Sequence, residues 1–241
     1  MSTQQVAVVT GGTGSLGSAI CGALAEAGYR VLAADVTDEP RTPLPDTVEY
    51  VRLDVASVES VRHLVAEVLS RGTPHVLVNA HGVLHETTIE TMLGEELEET
   101  LVINVAGVAR VSAALAPHLA AGSSITTLSS IAARIGRLPG SAAYAASKAG
   151  VEGLTRSLAC SLAPRVRVNA IGVGFVETPM RGDGELMRSR ATDTGATLRE
   201  VPMGRLARVG DIAGVVRFLA SDAASYITGT TIMVDGGVTA R

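Results

Sequence analysis

Val6-Ala7-Val8-Val9-Thr10-Gly11-Gly12-Thr13-Gly14-Ser15-Leu16-Gly17 decides the fold of this 241-residue chain. A short apolar run ends in a glycine-rich turn, and an amphipathic stretch follows at once. Glycines let the backbone take positive φ and approach a ligand closely, while the free N–H groups and dipole at the start of a helix attract a pyrophosphate. Gly11 and Gly17 suit the tight turn and the close helix–sheet contact. Tight turns alone also use glycine, so the strand before and the helix after give the motif its meaning.

Outward from that turn the same alternation repeats. Strands are expected at Val6–Thr10, Arg30–Ala34, Val48–Leu53, His75–Asn79, Ser124–Ser129, Arg167–Ile171 and Thr231–Val234, mostly continuous Val/Ile/Leu runs of the kind buried on both faces. Helices are expected at Leu16–Ala27, Val58–Ser70, Glu95–Leu119, Ala142–Leu162 and Asp211–Ser221. This pattern predicts an α/β, Rossmann-like, doubly wound fold, a seven-stranded parallel sheet with helices on both faces. No linker divides residues 1–241, so a single dinucleotide-binding and catalytic domain is expected. Thr37–Thr47, with Pro40, Pro43 and Pro45, is expected as an exposed turn. The polar, Gly-rich segment 178–203 is a candidate substrate loop.

Composition narrows the function. With 46% hydrophobic and 18% charged residues and a net charge of −4, the chain has no basic stretch suited to nucleic acid. Its longest apolar runs are read as broken within about ten residues, short of the ~20 that a spanning helix needs, and no leader pattern is expected at its start. No membrane attachment and a cytoplasmic location are therefore expected. Cys21 and Cys160 are too few and too far apart for a disulfide framework or a metal site, and are expected as small buried residues. The acidic run Glu95, Glu96, Glu98 and Glu99 is expected as a solvated helix face.

Asp35 stands eighteen residues beyond Gly17, at the end of the second expected strand. A carboxylate there accepts hydrogen bonds from the adenosine ribose and repels a 2′-phosphate, favouring NAD over NADP; capping a turn is its other common use. Neither Gly14 nor Val36 supplies a cation for such a phosphate. Tyr144 and Lys148, four residues apart, lie on one face of a helix. A phenol is a poor acid–base group at neutral pH, but a neighbouring ammonium favours its ionised form, so the two can form a proton-transfer pair. Ser129 and Ser130 end the fifth strand, at the sheet edge where ligands bind in open parallel sheets.

Taken together these residues resemble the short-chain dehydrogenase/reductase family across nearly the whole chain, including members similar to 3-oxoacyl carrier-protein reductases. Thr10-Gly11-x-x-x-Ser15-x-Gly17 resembles the family's TGxxxGxG turn, Asp54-Val55 its adenine-contacting pair, and Asn79-Ala80-His81-Gly82 its NNAG element. Tyr144-x-x-x-Lys148 is similar to YxxxK, and Val234-Asp235-Gly236-Gly237 to the C-terminal signature. The resemblance implies a catalytic set of Asn104, Ser130, Tyr144 and Lys148. It implies a cofactor site of Thr10, Gly11, Thr13, Ser15, Leu16, Gly17, Asp35, Asp54, Val55, Asn79, Ala80, Tyr144, Lys148, Gly174, Val176 and Thr178, with no metal. In it, Tyr144 handles the proton, Ser130 holds the reacting oxygen, Lys148 contacts the nicotinamide ribose and lowers the tyrosine pKa, and Asn104 supports a water relay.

The chain departs from the family pattern at Ser15, Ala80, His81 and Val173, and its interval from Ser130 to Tyr144 is one residue longer than the pattern, which leaves Ser129 as the alternative to Ser130. The expected function is NAD(H)-dependent interconversion of a secondary alcohol and a ketone, NADP(H) being second choice, in a homotetramer. Reduction of a 3-oxoacyl thioester is the alternative, and a non-catalytic nucleotide-binding regulator the remote one. The substrate pocket is expected from His85, Ile131, Leu138, Val173 and the 178–203 segment, with Arg181, Arg188 and Arg190 as cations for an anionic group.

Overall fold

A computed structural model of the chain describes residues 5–85, 89, 92, 94–136, 141–177 and 198–240. The strands are β1 (Gln5–Thr10), β2 (Arg30–Asp35), β3 (Val48–Arg52), β4 (Thr73–Asn79), β5 (Ser123–Ser130), β6 (Val166–Val173) and β7 (Thr231–Val234). All pair in parallel, in the order β3-β2-β1-β4-β5-β6-β7. The expected Rossmann-like sheet is therefore present. Its winding reverses between β1 and β4, which opens a crevice at the C-terminal edge of those two strands.

Alternate residues of each strand feed two separate cores, as a sheet covered on both faces requires. On one face Val6, Val8 and Leu32 pack with Val61, Leu64 and Val68 of α2 (Val58–Arg71) and with Val111 and Leu115 of α4 (Val108–Leu115). On the other, Ala7, Val9 and Val31 meet Ile20 and Leu24 of α1 (Ser15–Glu26) and Ile212, Val216 and Leu219 of a helix at Val209–Ala220. The long helix α5 (Ala142–Leu162) lies beside β5 and β6 and carries Tyr144 and Lys148 toward the crevice.

Three expectations are corrected. The helix expected at Glu95–Leu119 is not continuous: α3 (Glu95–Leu101) passes through a π-helical turn at Val102–Gly107 into α4, and a 3₁₀ turn at Ala116–His118 ends the run. Apolar periodicity looks the same on either side of one inserted residue, so the pattern hides the bulge. The same segment, Glu95–His118, is apolar and long enough to cross a membrane, with mean hydropathy 1.5. Its Val108, Val111 and Leu115 are nevertheless buried against the sheet, which explains their apolarity as core packing. Cys21 is buried, but Cys160 is exposed on the outer side of α5. Glu95, Glu96, Glu98 and Glu99 are exposed, as expected of a solvated face.

Candidate active site

The glycine turn is shaped by steric necessity. Gly11 has φ +65°, and a Cβ there would lie 2.7 Å from the His81 backbone; a Cβ on Gly17 would lie 2.0 Å from the Gly11 carbonyl oxygen. Only hydrogen atoms fit in either place. Gly14 begins α1 without a side-chain cap, so the N–H groups of the first helical turn are left to face the crevice. Ser15, where the family pattern has glycine, is the first residue of α1. No non-glycine residue among those described has positive φ, so serine fits there without backbone strain.

Thr10 ends β1 and is tied to the end of β4 twice, by the Ala80 N–H donating to its carbonyl at 3.0 Å and by its hydroxyl 2.5 Å from His81 Nδ1. The His81 backbone borders the crevice while its ring is enclosed against Val55 and Gly107 of the π-helical turn. There Nε2 has no hydrogen-bond partner. Burial, helped by the nearby Lys148 charge, lowers the His81 pKa to about 4, outweighing the Ile103 backbone and Asp35, so the imidazole is neutral. Asn79 holds the sheet together from below by donating to the Ser112 and Thr127 hydroxyls.

Asp35 is buried and its carboxylate is already in use. Oδ2 accepts from the Thr13 N–H at 3.2 Å and hydroxyl at 2.5 Å; Oδ1 accepts from the Val36 N–H at 2.9 Å and from Arg41 Nη2 at 3.2 Å. The cation beside this carboxylate comes from neither Gly14 nor Val36 but from Arg41, six residues downstream of Asp35, which the Pro-rich segment folds back. Further along the groove, Asp54 caps its own turn through the Ala56 N–H, and Val55 is buried beside Gly107.

The second half of the site centres on α5. Strand alternation sends the two serines of β5 to different partners. Ser129 donates to the Lys148 carbonyl at 3.2 Å and to Glu152 Oε1 at 3.4 Å, while the Ser130 hydroxyl accepts from the Ala132 N–H at 3.2 Å and neighbours the Tyr144 phenol. Burial raises the Tyr144 pKa and the nearby Ser130 hydroxyl only partly offsets it. Lys148 Nζ donates to the Leu128 carbonyl at 2.8 Å and lies 5.5 Å from the centre of the Tyr144 ring. Its pKa is lowered to about 8 by burial. The Lys148 ammonium thus lies over the Tyr144 ring, in the same buried cluster.

Asn104 lies within the π-helical turn, fully buried. Its Oδ1 accepts from the Val83 N–H at 2.8 Å, and Nδ2 donates to the Val83 carbonyl at 2.9 Å and to Ser147 at 3.0 Å. A Cβ on Gly82 would crowd Asn104 Oδ1 and Lys148 Nζ, at 3.1 and 3.4 Å. The glycine therefore leaves room at the junction of the two halves. Gly174 donates to the Val234 carbonyl, and Val176 bridges Ala207. Ile131 packs with Val201 and Val238 beside the site, and His85 Nε2 meets Glu99 at 2.9 Å. Thr178, Leu138, Arg181, Arg188, Arg190 and most of the 178–203 segment lie outside the described residues.

A glycine cradle at a helix start, an acid at the end of β2 and a Ser–Tyr–Lys cluster at the same sheet edge fit a dinucleotide and define an oxidoreductase. Comparison with known proteins gives the family. A family model described as enoyl-(acyl carrier protein) reductase matches residues 11–239. A 3-oxoacyl-[acyl-carrier-protein] reductase of Thermotoga maritima is 34% identical, covering 97% of both chains. Trans-4-hydroxycyclohexanecarboxylate dehydrogenase of Sinomonas cyclohexanicum is 33% identical over 98% of this chain and 93% of that one. An uncharacterized short-chain type dehydrogenase/reductase of Sinorhizobium fredii is 40% identical over 97% of this chain, which spans 43% of that relative's length. Among solved structures, the ligand-free aldohexose dehydrogenase of Thermoplasma acidophilum superposes with a TM-score of 0.87 at 29% identity, covering 99% of this chain and 95% of that one. The chain belongs to the short-chain dehydrogenase/reductase family. It is an oxidoreductase acting on CH–OH groups of small molecules, in a family that uses NAD(P)(H).

Proposed function

We propose that this chain interconverts a secondary alcohol and its ketone with NAD(H), using Tyr144 as acid–base group and Ser130, Lys148 and Asn104 in support. The cluster of buried Ser130, Tyr144 and Lys148 at one sheet edge, with Lys148 Nζ 5.5 Å from the centre of the Tyr144 ring, carries this reading. A dinucleotide held on the Gly11–Gly17 turn, with its adenosine end toward Asp35, Asp54 and Val55, supplies the hydride donor or acceptor. Asn79, Ala80, Lys148, Gly174 and Val176, with Thr178 by resemblance to the family, would hold the nicotinamide end.

Ser130 neighbours the phenol, so an oxygen bound between the two hydroxyls would accept two hydrogen bonds at the reacting centre. The raised pKa keeps Tyr144 protonated, as proton donation to a forming alkoxide requires. Lys148, with a pKa near 8, still carries charge at neutral pH and stabilises the phenolate left behind. The Asn104 side chain, held by Val83 and Ser147, stands next to Lys148 across Gly82 and would support its proton exchange. Tyr144→Phe is expected to lower kcat by ~10³-fold while NADH still binds. Near-normal turnover in a coupled absorbance assay would overturn the assignment.

The thioester alternative is supported by the 3-oxoacyl-[acyl-carrier-protein] reductases of Thermotoga and Staphylococcus aureus, at 34 and 35% identity. Turnover of an acetoacetyl thioester against a panel of free ketones separates the two. A cytoplasmic homotetramer completes the proposal. Exposed Leu101 and Val102, and the exposed small residues Ala149 and Gly150 of α5, support close helix pairing between subunits.

A further inference from the structure

The segment after β2 delivers a guanidinium to the one buried carboxylate at the adenosine end of the groove. Arg41 sits between Pro40 and Thr42, with Pro43 and Pro45 beyond, in a stretch without regular structure. Its conformation is nonetheless fixed at several points. The Tyr50 hydroxyl donates to the carbonyls of Asp35 and Thr37, and the Thr37 hydroxyl to the Glu39 carbonyl at 2.7 Å. The Thr42 hydroxyl donates to the Thr13 carbonyl at 2.9 Å, anchoring the arm on the glycine turn itself. Arg41 Nη2 then reaches Asp35 Oδ1 at 3.2 Å, with 45% of the arginine side chain exposed against 7% for the aspartate. The carboxylate is built in, and the cation lies over its mouth.

Two consequences follow from elementary electrostatics. A ribose diol that donates hydrogen bonds to Asp35 must displace donors already there, and Arg41 is the one that can swing aside into solvent. A 2′-phosphate at the same place meets a carboxylate whose charge is offset by a guanidinium, and the guanidinium can turn to form a forked, charge-assisted pair with the phosphate. Arg41 therefore competes with one form of the cofactor and recruits the other. Lysine could offset the charge but not reproduce the planar fork.

We infer that Arg41 is the residue that sets cofactor choice in this chain, admitting NADP(H) beside NAD(H) at a site where Asp35 alone would exclude the 2′-phosphate. The inference rests on the proposed adenosine site at Asp35, not on the identity of the carbonyl substrate. Binding of NADH and of NADPH, measured separately by calorimetry without substrate, tests it independently of turnover. The unsubstituted protein is expected to bind both within ~10-fold of each other. Arg41→Ala should weaken NADPH binding by ~10-fold, the worth of one charge-assisted pair, and leave NADH unchanged or up to ~3-fold tighter. Arg41→Lys should fall between. Asp35→Ser should move the ratio the opposite way, toward NADPH, because it removes the repulsion and frees Arg41.

An unchanged NADPH-to-NADH ratio in Arg41→Ala, with both cofactors still bound, overturns the role of Arg41 and leaves the adenosine site standing. Loss of both cofactors in equal measure also overturns it, by making Arg41 a structural brace. If neither dinucleotide binds the unsubstituted protein, the inference falls together with the proposed cofactor site. Circular dichroism of each variant before titration separates a binding change from a folding failure.

Discussion

The two halves of the crevice achieve their geometry by different means. On the β1–β2–β4 side the shape is set by backbone: Gly11 and Gly17 touch neighbouring backbone where a Cβ cannot go, and Asp35 has both oxygens hydrogen-bonded. On the β5–α5 side the shape is ordinary and the electrostatics are strained, with Tyr144 and Lys148 buried and both shifted toward their neutral forms. A binding surface tolerates no change of volume, whereas a reacting surface stores its function in desolvation. Substitutions in the two halves should therefore fail in opposite ways.

The largest effect is expected at the glycine turn. Gly17→Ala would place a methyl group 2.0 Å from the Gly11 carbonyl oxygen, in contact with backbone that cannot move independently of β1. Overpacking of this kind costs about 3 kcal/mol or more. Urea unfolding should show that loss, and calorimetry should show no dinucleotide binding. A Gly17→Ala protein of unchanged stability and cofactor affinity would break the contrast, since the turn would then be as yielding as a loop.

His81 sharpens it next, because it is the one group of the binding half whose charge state is strained. Its pKa lies at about 4 in the folded protein against 6.5 ordinarily, so the unfolded chain takes up the proton first. Its neutral form costs nothing above pH 6.5; as pH falls toward 4, the folded state loses stability relative to the unfolded chain, and the loss then levels off. The size is about 3 kcal/mol. His81→Leu keeps an apolar filling between Val55 and Gly107 but cannot titrate. The difference in unfolding free energy between the two proteins, followed by urea titration from pH 7 to pH 4, should shrink by about that amount. A constant difference would show that the ring is solvated in the folded state.

Much of this was legible in the chain. The seven strands fall within two residues of expectation at each end, since continuous Val/Ile/Leu runs between turn-formers have few other uses. Asp35, Ser130, Tyr144 and Lys148 come to one sheet edge because each stands at a strand end or on the helix that follows one. Three features were hidden for physical reasons. The π-helical turn at Asn104 inserts one residue without altering the apolar rhythm, and Gly107, which gives the His81 ring its room, looks like any small helical residue. Arg41 was hidden because its position depends on how a proline-rich arm folds back onto Thr13, a contact between residues 29 apart. The assignment of Ser129 and Ser130 to different partners also needed the pleat of β5, which spacing alone leaves open.

The smallest effect belongs to the reacting half and has the opposite sign. Lys148 has a pKa of about 8 against 10.5 ordinarily, so below pH 8 its charge is carried at a cost that disappears as pH rises toward 10.5. Lys148→Met removes that charge and keeps the length of the side chain, at the expense of the bond to the Leu128 carbonyl. Losing that bond leaves one buried carbonyl short of a partner and takes back about 1 kcal/mol. The net expectation at pH 7 is a ligand-free protein more stable by about 2 kcal/mol, and a gain that fades by pH 10. Turnover should fall in the same protein, because the phenolate of Tyr144 loses its cation. Thermal unfolding at pH 7 and pH 10 distinguishes this from simple damage: a variant less stable at both values would mean that Lys148 braces the fold, and the separation between a sterically built half and an electrostatically stressed half would not hold. A stabilised but inactive variant would place the cost of catalysis in the burial of one ammonium beside one phenol.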